Sequence, residues 1–125
     1  MDEAARKLAA DSGVLHRIAG RRTSAGYAML EFIFNRGTLR LTCDADTDEI
    51  LVCVASEPTS DAEAVDDGHL ASLLGGVIEQ AWTMTNDRGY ADAFQIRCVD
   101  LESRRENCVQ FEVGAAAIAV TRVSV

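Results

Sequence analysis

The chain has 125 residues, of which 48% are hydrophobic and 26% charged, and its formal net charge is −8 at pH 7. This composition excludes a wholly disordered protein, and the length fits a single domain, residues 1–125, with its own core. The negative charge argues against binding to nucleic acid or to an anionic membrane, and no apolar run reaches the ~18 residues of a membrane span. The acidic start Met1-Asp2-Glu3 lacks the basic and apolar regions of a secretory signal, which predicts a cytoplasmic protein.

The first half of the sequence predicts a short helix followed by a β-meander. Ala and Leu recur at helical spacing over residues 2–11, and Gly13 is a typical helix end. Apolar and polar residues then alternate, as in half-buried strands, and turn residues such as the Asn-Arg-Gly of residues 35–37 separate the runs. The predicted strands are residues 27–34, 38–43 and 50–55.

The second half predicts another β unit behind an acidic loop. Residues 57–68 are polar and without periodicity, which indicates a mobile loop, and residues 69–74 form a short helix before two glycines. Alternating strands follow at residues 77–85, 92–101, 107–113 and 118–125. The sequence therefore predicts an α+β fold, mostly antiparallel β, with two meander-like β units, a short N-terminal helix and one short middle helix. It lacks the strand–helix alternation of a parallel fold.

Negative charge is concentrated in the middle of the chain. Residues 41–79 hold ten acidic and no basic residues, whereas residues 1–40 hold seven basic and four acidic residues, a net +3, and residues 80–125 hold five basic and six acidic residues, a net −1. Such clustering favours either contact with a basic partner protein or a solvated loop that keeps the protein soluble. The acidic residues assigned to partner binding are Asp44, Asp46, Asp48, Glu49, Asp61, Glu63, Asp66 and Asp67.

Neither the acidic residues nor the cysteines have the spacing of a metal site. Asp44, Asp46 and Asp48 match the first half of a calcium loop, but Glu49 stands where that loop needs glycine and Ala55 where it needs glutamate. We interpret the segment as a hairpin turn. The cysteines lie in apolar stretches without CxxC spacing, which predicts free thiols buried in the core: Cys43, Cys53, Cys98 and Cys108. No metal and no cofactor is predicted.

The densest local pattern is W-x-x-T-N-x-x-G-Y-x-D over residues 82–92. In a structural interpretation Trp82 fills the core and Gly89 adopts a positive φ in a turn. In a functional one Tyr90 and Asp92 lie at a strand end and face a ligand or partner. A small-molecule-binding or catalytic pocket near Trp82, Tyr90, Asp92 and His69 is the alternative function. The nucleophile-elbow, phosphate-loop and HExxH motifs are absent, so an enzyme is not favoured.

The same pattern resembles that of a family of small uncharacterised bacterial proteins. The resemblance covers about residues 74–123 and includes Gly76 before the motif and Phe111-Glu112-Val113 after it. It implies no activity. In size and charge alone, the chain is similar to immunity proteins, which neutralise partner toxins.

Three functions follow as hypotheses. The leading one is an acidic protein-binding module of the immunity type, which neutralises a basic partner protein such as a toxin through residues 44–67, with Tyr90 as an exposed aromatic anchor. The second is the pocket described above. The third is a homo-oligomer that pairs through residues 118–125, provided that this strand lies at a sheet edge.

Overall fold

The computed structural model describes residues 13–44, 46–55, 57–59 and 61–123, which form an almost entirely antiparallel β structure. Nine strands and one short helix follow one another along these residues. They are β1 (Leu15–Thr23), β2 (Gly26–Phe34), β3 (Gly37–Asp44), β4 (Glu49–Ala55), β5 (Glu63–Ala64), α1 (Gly68–Ala71), β6 (Gly76–Thr85), β7 (Ala91–Asp100), β8 (Glu106–Gly114) and β9 (Ala117–Val123).

The strands form one curved sheet, a half-barrel, with the order β4-β3-β2-β9-β8-β7-β6. β1 occupies one edge of β2 along its whole length. The other edge of β2 is shared, because β3 pairs with it from Met29 onward and β9 meets it at the Tyr27–Ile118 pair. An isolated bridge between Val14 and Val77 also brings the start of β1 to β6. The two predicted β units are therefore parts of one sheet.

Large side chains from both halves of the chain build the core on one face of this sheet. Phe32 of β2, Phe94 of β7 and Phe111 of β8 are fully buried. The Phe32 and Phe111 rings meet edge to face with centroids 5.4 Å apart, and the Phe94 and Phe111 centroids are 6.5 Å apart. Because burial of each such side chain contributes about 1.5–3 kcal/mol, this aromatic group holds β2 against the β7–β8 hairpin.

Helix α1 connects β5 to β6 and is confined between a cap and a glycine. The Asp67 carboxylate accepts two backbone N–H groups of the first turn, at 2.9 and 3.3 Å, which is an N-cap. Leu70 and Leu73 are buried in the core. Gly75, at φ 84, follows them and donates its N–H to the Leu15 carbonyl at 2.8 Å. The helix thus fixes the start of β6 beside the start of β1.

The predicted α+β class is wrong, because strands dominate the described residues and α1 is their one helix. The seven predicted strands are confirmed as β2, β3, β4, β6, β7, β8 and β9, with ends that differ by at most two residues. The middle helix is confirmed only as Gly68–Ala71, shorter than the predicted residues 69–74. The predicted helix over residues 2–11 lies outside the described residues.

Strand β1 is not predicted by the sequence pattern because its buried residues do not alternate. Its pairing with β2 shifts register between Leu15 and Arg17 and again between Arg21 and Arg22. The adjacent residues Ile18, Ala19 and Gly20 are all buried. Bulges of this kind remove the two-residue period by which a strand is recognised.

The acidic segment after β4 is fixed at two points, where the sequence predicts a mobile loop. Thr59 donates its backbone N–H at 2.9 Å and its hydroxyl at 3.0 Å to the buried carboxylate of Glu31. Farther along, Glu63 and Ala64 form β5, which pairs with β1. The segment therefore lies along β1 and β2 and leads directly into α1.

Candidate functional site

The β3–β4 turn is an acidic loop organised by its first residue. The Asp44 carboxylate accepts the Asp46 N–H at 2.9 Å, and the Asp44 carbonyl accepts the Asp48 N–H at 2.8 Å. Asp48 has φ 54, a left-handed conformation that Asp tolerates better than most residues. The interpretation of this segment as a hairpin turn is confirmed. Asp46 and Asp48 are exposed at its tip.

Carboxylates of this turn also attach it to neighbouring strands. Asp48 accepts the Ala116 N–H at 3.0 Å in the β8–β9 turn, and Glu49 accepts the Ala91 N–H at 3.1 Å at the start of β7. The Cys43 thiol donates to the Ala116 carbonyl at 3.0 Å. Turns that are far apart in the sequence are thereby held together at one end of the sheet.

The β6–β7 turn, residues 86–90, belongs to the same end through the Glu49 contact. The Asn86 side-chain oxygen accepts two backbone N–H groups of the turn, at 2.9 and 3.1 Å. Gly89 has φ 87, a conformation that suits glycine. The second half of the W-x-x-T-N-x-x-G-Y-x-D motif therefore forms a hydrogen-bonded turn, as the structural interpretation predicts. It leaves Tyr90 44% exposed.

We name the two turns together the acidic end. Five carboxylates and one guanidinium, that of Arg88, lie in them, so their formal charge is −4. A cleft of about 400 Å³ opens beside the acidic end, and Asp92 and Glu112 add two more carboxylates to its wall. The members of the acidic end are Asp44, Asp46, Asp48, Glu49, Asp87, Arg88 and Tyr90.

The remaining predicted partner-binding residues lie in β5 and in the segments that flank it, and we name them the β5 group: Asp61, Glu63, Asp66 and Asp67. Asp61 forms an exposed ion pair with Arg21 at 2.7 Å, and this hydrogen bond holds the pKa of the carboxyl below its usual value. Asp67 is occupied as the cap of α1. Because β1 and β2 stand between β5 and β3, the eight predicted acidic residues form two separate groups.

The residues of the alternative pocket point in different directions. Trp82 pairs with Gln95, and Asp92 lies three residues before Gln95 on β7. Side chains alternate along a strand, so Asp92 and Trp82 are on opposite faces of the sheet. Trp82 is half-buried and lies outside the core cluster, which corrects the prediction that it fills the core. His69 is exposed on α1.

The cysteines are free thiols, as predicted, but not all of them are in the core. Cys98 and Cys108 are buried, and burial raises the pKa of Cys98 to about 12. Cys43 is half-buried and Cys53 is exposed. The prediction is wrong for Cys53 because β4 is the last strand of the sheet, and its outward side chains are not covered by the described residues.

Two polar features are missing from the sequence predictions. Glu31 is a charged residue in the middle of an apolar strand, and the two-residue turn at 35–36 would already place it opposite Arg40. Asn107 occupies an inward position of β8 and is buried beside Arg122. A polar residue at an inward position of an alternating strand is the signal that would have identified Asn107. Glu31 lies on the face opposite Leu30 and Phe32, and it is buried there by Arg40 and Thr59, so the strand pattern contains no signal for its burial.

Across the ranges that the structure describes, no three His, Cys, Asp or Glu side chains are close enough to hold a metal ion. No helix in these ranges is long and apolar enough to cross a membrane.

Comparison with known proteins gives a family for the chain but no activity. No curated protein matches the sequence, and no solved structure matches it. The profile of a family of unknown function, DUF6334, matches residues 2–125. Because this match covers almost the whole sequence, the chain belongs to the DUF6334 family.

Proposed function

We propose that this protein is a non-enzymatic binding module of the immunity type, which neutralises a basic partner protein such as a toxin through its acidic end. The observation that carries the proposal is the juxtaposition of exposed carboxylates with an exposed tyrosine on two turns that the Glu49–Ala91 hydrogen bond connects. Membership of a family of unknown function agrees with the resemblance to uncharacterised proteins, and it assigns no function to the chain.

The acidic end is suited to binding because its backbone is fixed while its charges remain available. Asp44, Asp48 and Glu49 use side-chain oxygens to hold backbone N–H groups of the turns, as described above. Within the described residues, the carboxylates of Asp46 and Asp87 form no hydrogen bond or ion pair and are exposed. A preorganised surface loses little conformational entropy when it binds.

Tyr90 supplies the second element of a binding surface. Its ring is 44% exposed, and the turn that carries it is fixed by Asn86. Tyrosine is enriched among the few residues that carry most of the binding energy at interfaces, because it combines apolar area with a hydroxyl group. Charge would then govern the rate of encounter, and Tyr90 would slow dissociation.

The β5 group has a smaller part in this proposal. Asp61 forms an ion pair with Arg21, and the Asp67 carboxylate caps the N-terminus of α1. Glu63 and Asp66 are exposed and add to the long-range negative field on the other side of β1 and β2. We therefore assign the docking surface to the acidic end and only electrostatic steering to the β5 group.

The test is capture of a partner from a lysate of the source cells on the immobilised full chain, with parallel washes at low and high salt. We expect a basic protein that is retained at low salt and released at high salt. The variant Asp46→Lys/Asp87→Lys should lose this protein. The matched control Glu63→Lys/Asp66→Lys changes the net charge equally and should retain it.

Equal capture by both variants would contradict the assignment to the acidic end. Capture of no protein at either salt would contradict the binding-module proposal. A small-molecule-binding role would then become the leading hypothesis, and a thermal-shift screen with metabolites would test it.

A further inference from the structure

A polar cleft of about 480 Å³ lies at the end of the sheet opposite the acidic end. The β7–β8 turn, the residue after α1 and the last part of β9 form its walls. Since β7 has ten residues, the two ends are about 30 Å apart. The cleft is lined by Ser72, Asp100, Ser103, Arg105, Asn107 and Arg122.

Asn107 is the buried residue that organises one wall of this cleft. Only 7% of Asn107 is exposed, and its side-chain N–H donates to the Ser72 carbonyl at 3.0 Å. Its side-chain oxygen accepts from the Arg122 guanidinium at 3.3 Å. A neutral amide therefore positions Arg122 through one N–H group, and the positive charge of the guanidinium is not cancelled by this contact.

The β7–β8 turn forms the opposite wall, with Asp100 as its organising residue. The Asp100 carboxylate accepts the backbone N–H groups of Glu102 and Ser103, both at 3.0 Å. The Ser103 hydroxyl oxygen accepts the Arg105 N–H at 3.2 Å, and the same hydroxyl group is a side-chain hydrogen-bond partner of the Asp100 carboxylate. These bonds fix the base of the Arg105 side chain at the mouth of the cleft.

The charge of the cleft is positive. Among the described residues, Arg105 and Arg122 form no ion pair within 4.0 Å, whereas Arg21 and Arg40 do. Asp100 is the one carboxylate of the lining, and one of its oxygens is directed at the turn backbone. Two guanidiniums against one carboxylate leave a formal charge of +1 in the lining of the cleft.

We propose that this cleft binds a small oxyanion group, a carboxylate or a phosphate, between Arg122 and Arg105. A guanidinium presents several N–H donors in one plane, and this geometry suits the paired oxygens of such groups. The site is independent of the proposed function, because it lies at the opposite end and has the opposite charge.

The test is a titration of the 15N-labelled full chain with inorganic phosphate and, separately, with acetate, at constant ionic strength and followed by NMR. We expect saturable shifts confined to the cleft, including the Ser103 amide and the side-chain N–H groups of the two arginines. Saturation by phosphate alone identifies a phosphate-type ligand, and saturation by acetate alone or by both identifies a carboxylate-accepting site.

Two variants and one control separate a specific site from general attraction by positive charge. Arg122→Gln should weaken binding about tenfold, the effect of losing a charge-assisted hydrogen bond. Arg122→Lys keeps the charge but loses the planar arrangement, and it should also bind more weakly. Arg36→Gln makes the same charge change in the β2–β3 turn, outside the cleft, and should bind normally. Shifts that grow linearly without saturation, or equal affinities in all four proteins, would overturn the proposal.

Discussion

A charged residue inside an apolar strand is costly unless its oxygen atoms have partners. Glu31 is fully buried in β2, and its carboxylate accepts from Arg40 at 2.7 Å and from the Thr59 N–H at 2.9 Å. This one side chain therefore connects β2 to β3 and holds the segment after β4. The stability of the acidic segment depends on a residue outside it.

We expect Arg40→Met to lower the free energy of unfolding by about 3 kcal/mol, because it leaves the buried Glu31 carboxylate without its counter-charge. Urea unfolding measures the change. Arg21→Met is the control, since it breaks an exposed ion pair with Asp61 and should leave the unfolding midpoint unchanged. Equal effects of the two substitutions would show that the Glu31–Arg40 pair has no special role.

The four cysteine thiols are expected to differ in reactivity because they differ in burial. A buried thiol with a raised pKa forms little thiolate and reacts slowly, whereas an exposed thiol is accessible to reagents. We expect the native protein to show one fast-reacting thiol with a disulfide reagent, and Cys53→Ser to abolish this fast phase. Cys98→Ala should leave it unchanged. A fast phase that survives Cys53→Ser would contradict the exposed position of Cys53 on β4.

At the scale of elements, the connection between β2 and β9 joins the two halves of the sheet. It rests on a single residue pair, Tyr27–Ile118, and on the close approach of Gly26 to β9. A Cβ atom at Gly26 would lie 2.4 Å from the Ile118 carbonyl oxygen, and the φ of Gly26 is 153. Glycine is required here by contact with another strand as well as by its own conformation.

We expect Gly26→Ala to destabilise the protein by about 2 kcal/mol or more, because the new methyl group must displace the backbone of β9. Gly37→Ala is the matched control, since a Cβ at that position meets nothing within 4 Å and Gly37 has no positive φ. It should be neutral or slightly stabilising. Thermal or urea unfolding of the two variants gives the comparison, and equal stabilities would contradict the role of the β2–β9 connection.

The elements that could be predicted from the sequence are those whose evidence is local. The hairpin of β2 and β3 has a clear two-residue period and a short Asn-Arg turn, so its bounds are nearly correct. The irregular β1 has register shifts, and β5 has only two residues, so neither has a recognisable period. The Tyr27–Ile118 pair joins residues far apart in the sequence, and local patterns contain no information about it.

For the candidate site, too, only the features with local sequence evidence could be predicted. The acidic residues and Tyr90 could be selected by type and turn position, because turns carry exposed polar residues. Their grouping could not be predicted, since it depends on the contacts of Asp48 with Ala116 and of Glu49 with Ala91. The β5 group is separated from the acidic end because β5 pairs with β1, and β1 could not be predicted from the alternation of apolar and polar residues.

At the scale of the whole molecule, the two ends of the sheet differ in charge. Carboxylates dominate the β3–β4 and β6–β7 turns at one end, and the cleft with Arg105 and Arg122 lies at the other. The net charge of −8 is therefore unevenly distributed, with its carboxylates concentrated at the acidic end and in the β5 group. A basic partner that approaches this protein would be oriented toward the acidic end before contact.

The most direct measurement is the association rate constant of the captured basic partner as a function of ionic strength, for the wild-type protein and for Asp46→Lys/Asp87→Lys and Glu63→Lys/Asp66→Lys. We expect the first variant to associate about tenfold more slowly than the second at low salt, although the two have equal net charge, and we expect the difference to shrink as salt is added. Equal association rates for the two variants at low salt would contradict docking at the acidic end.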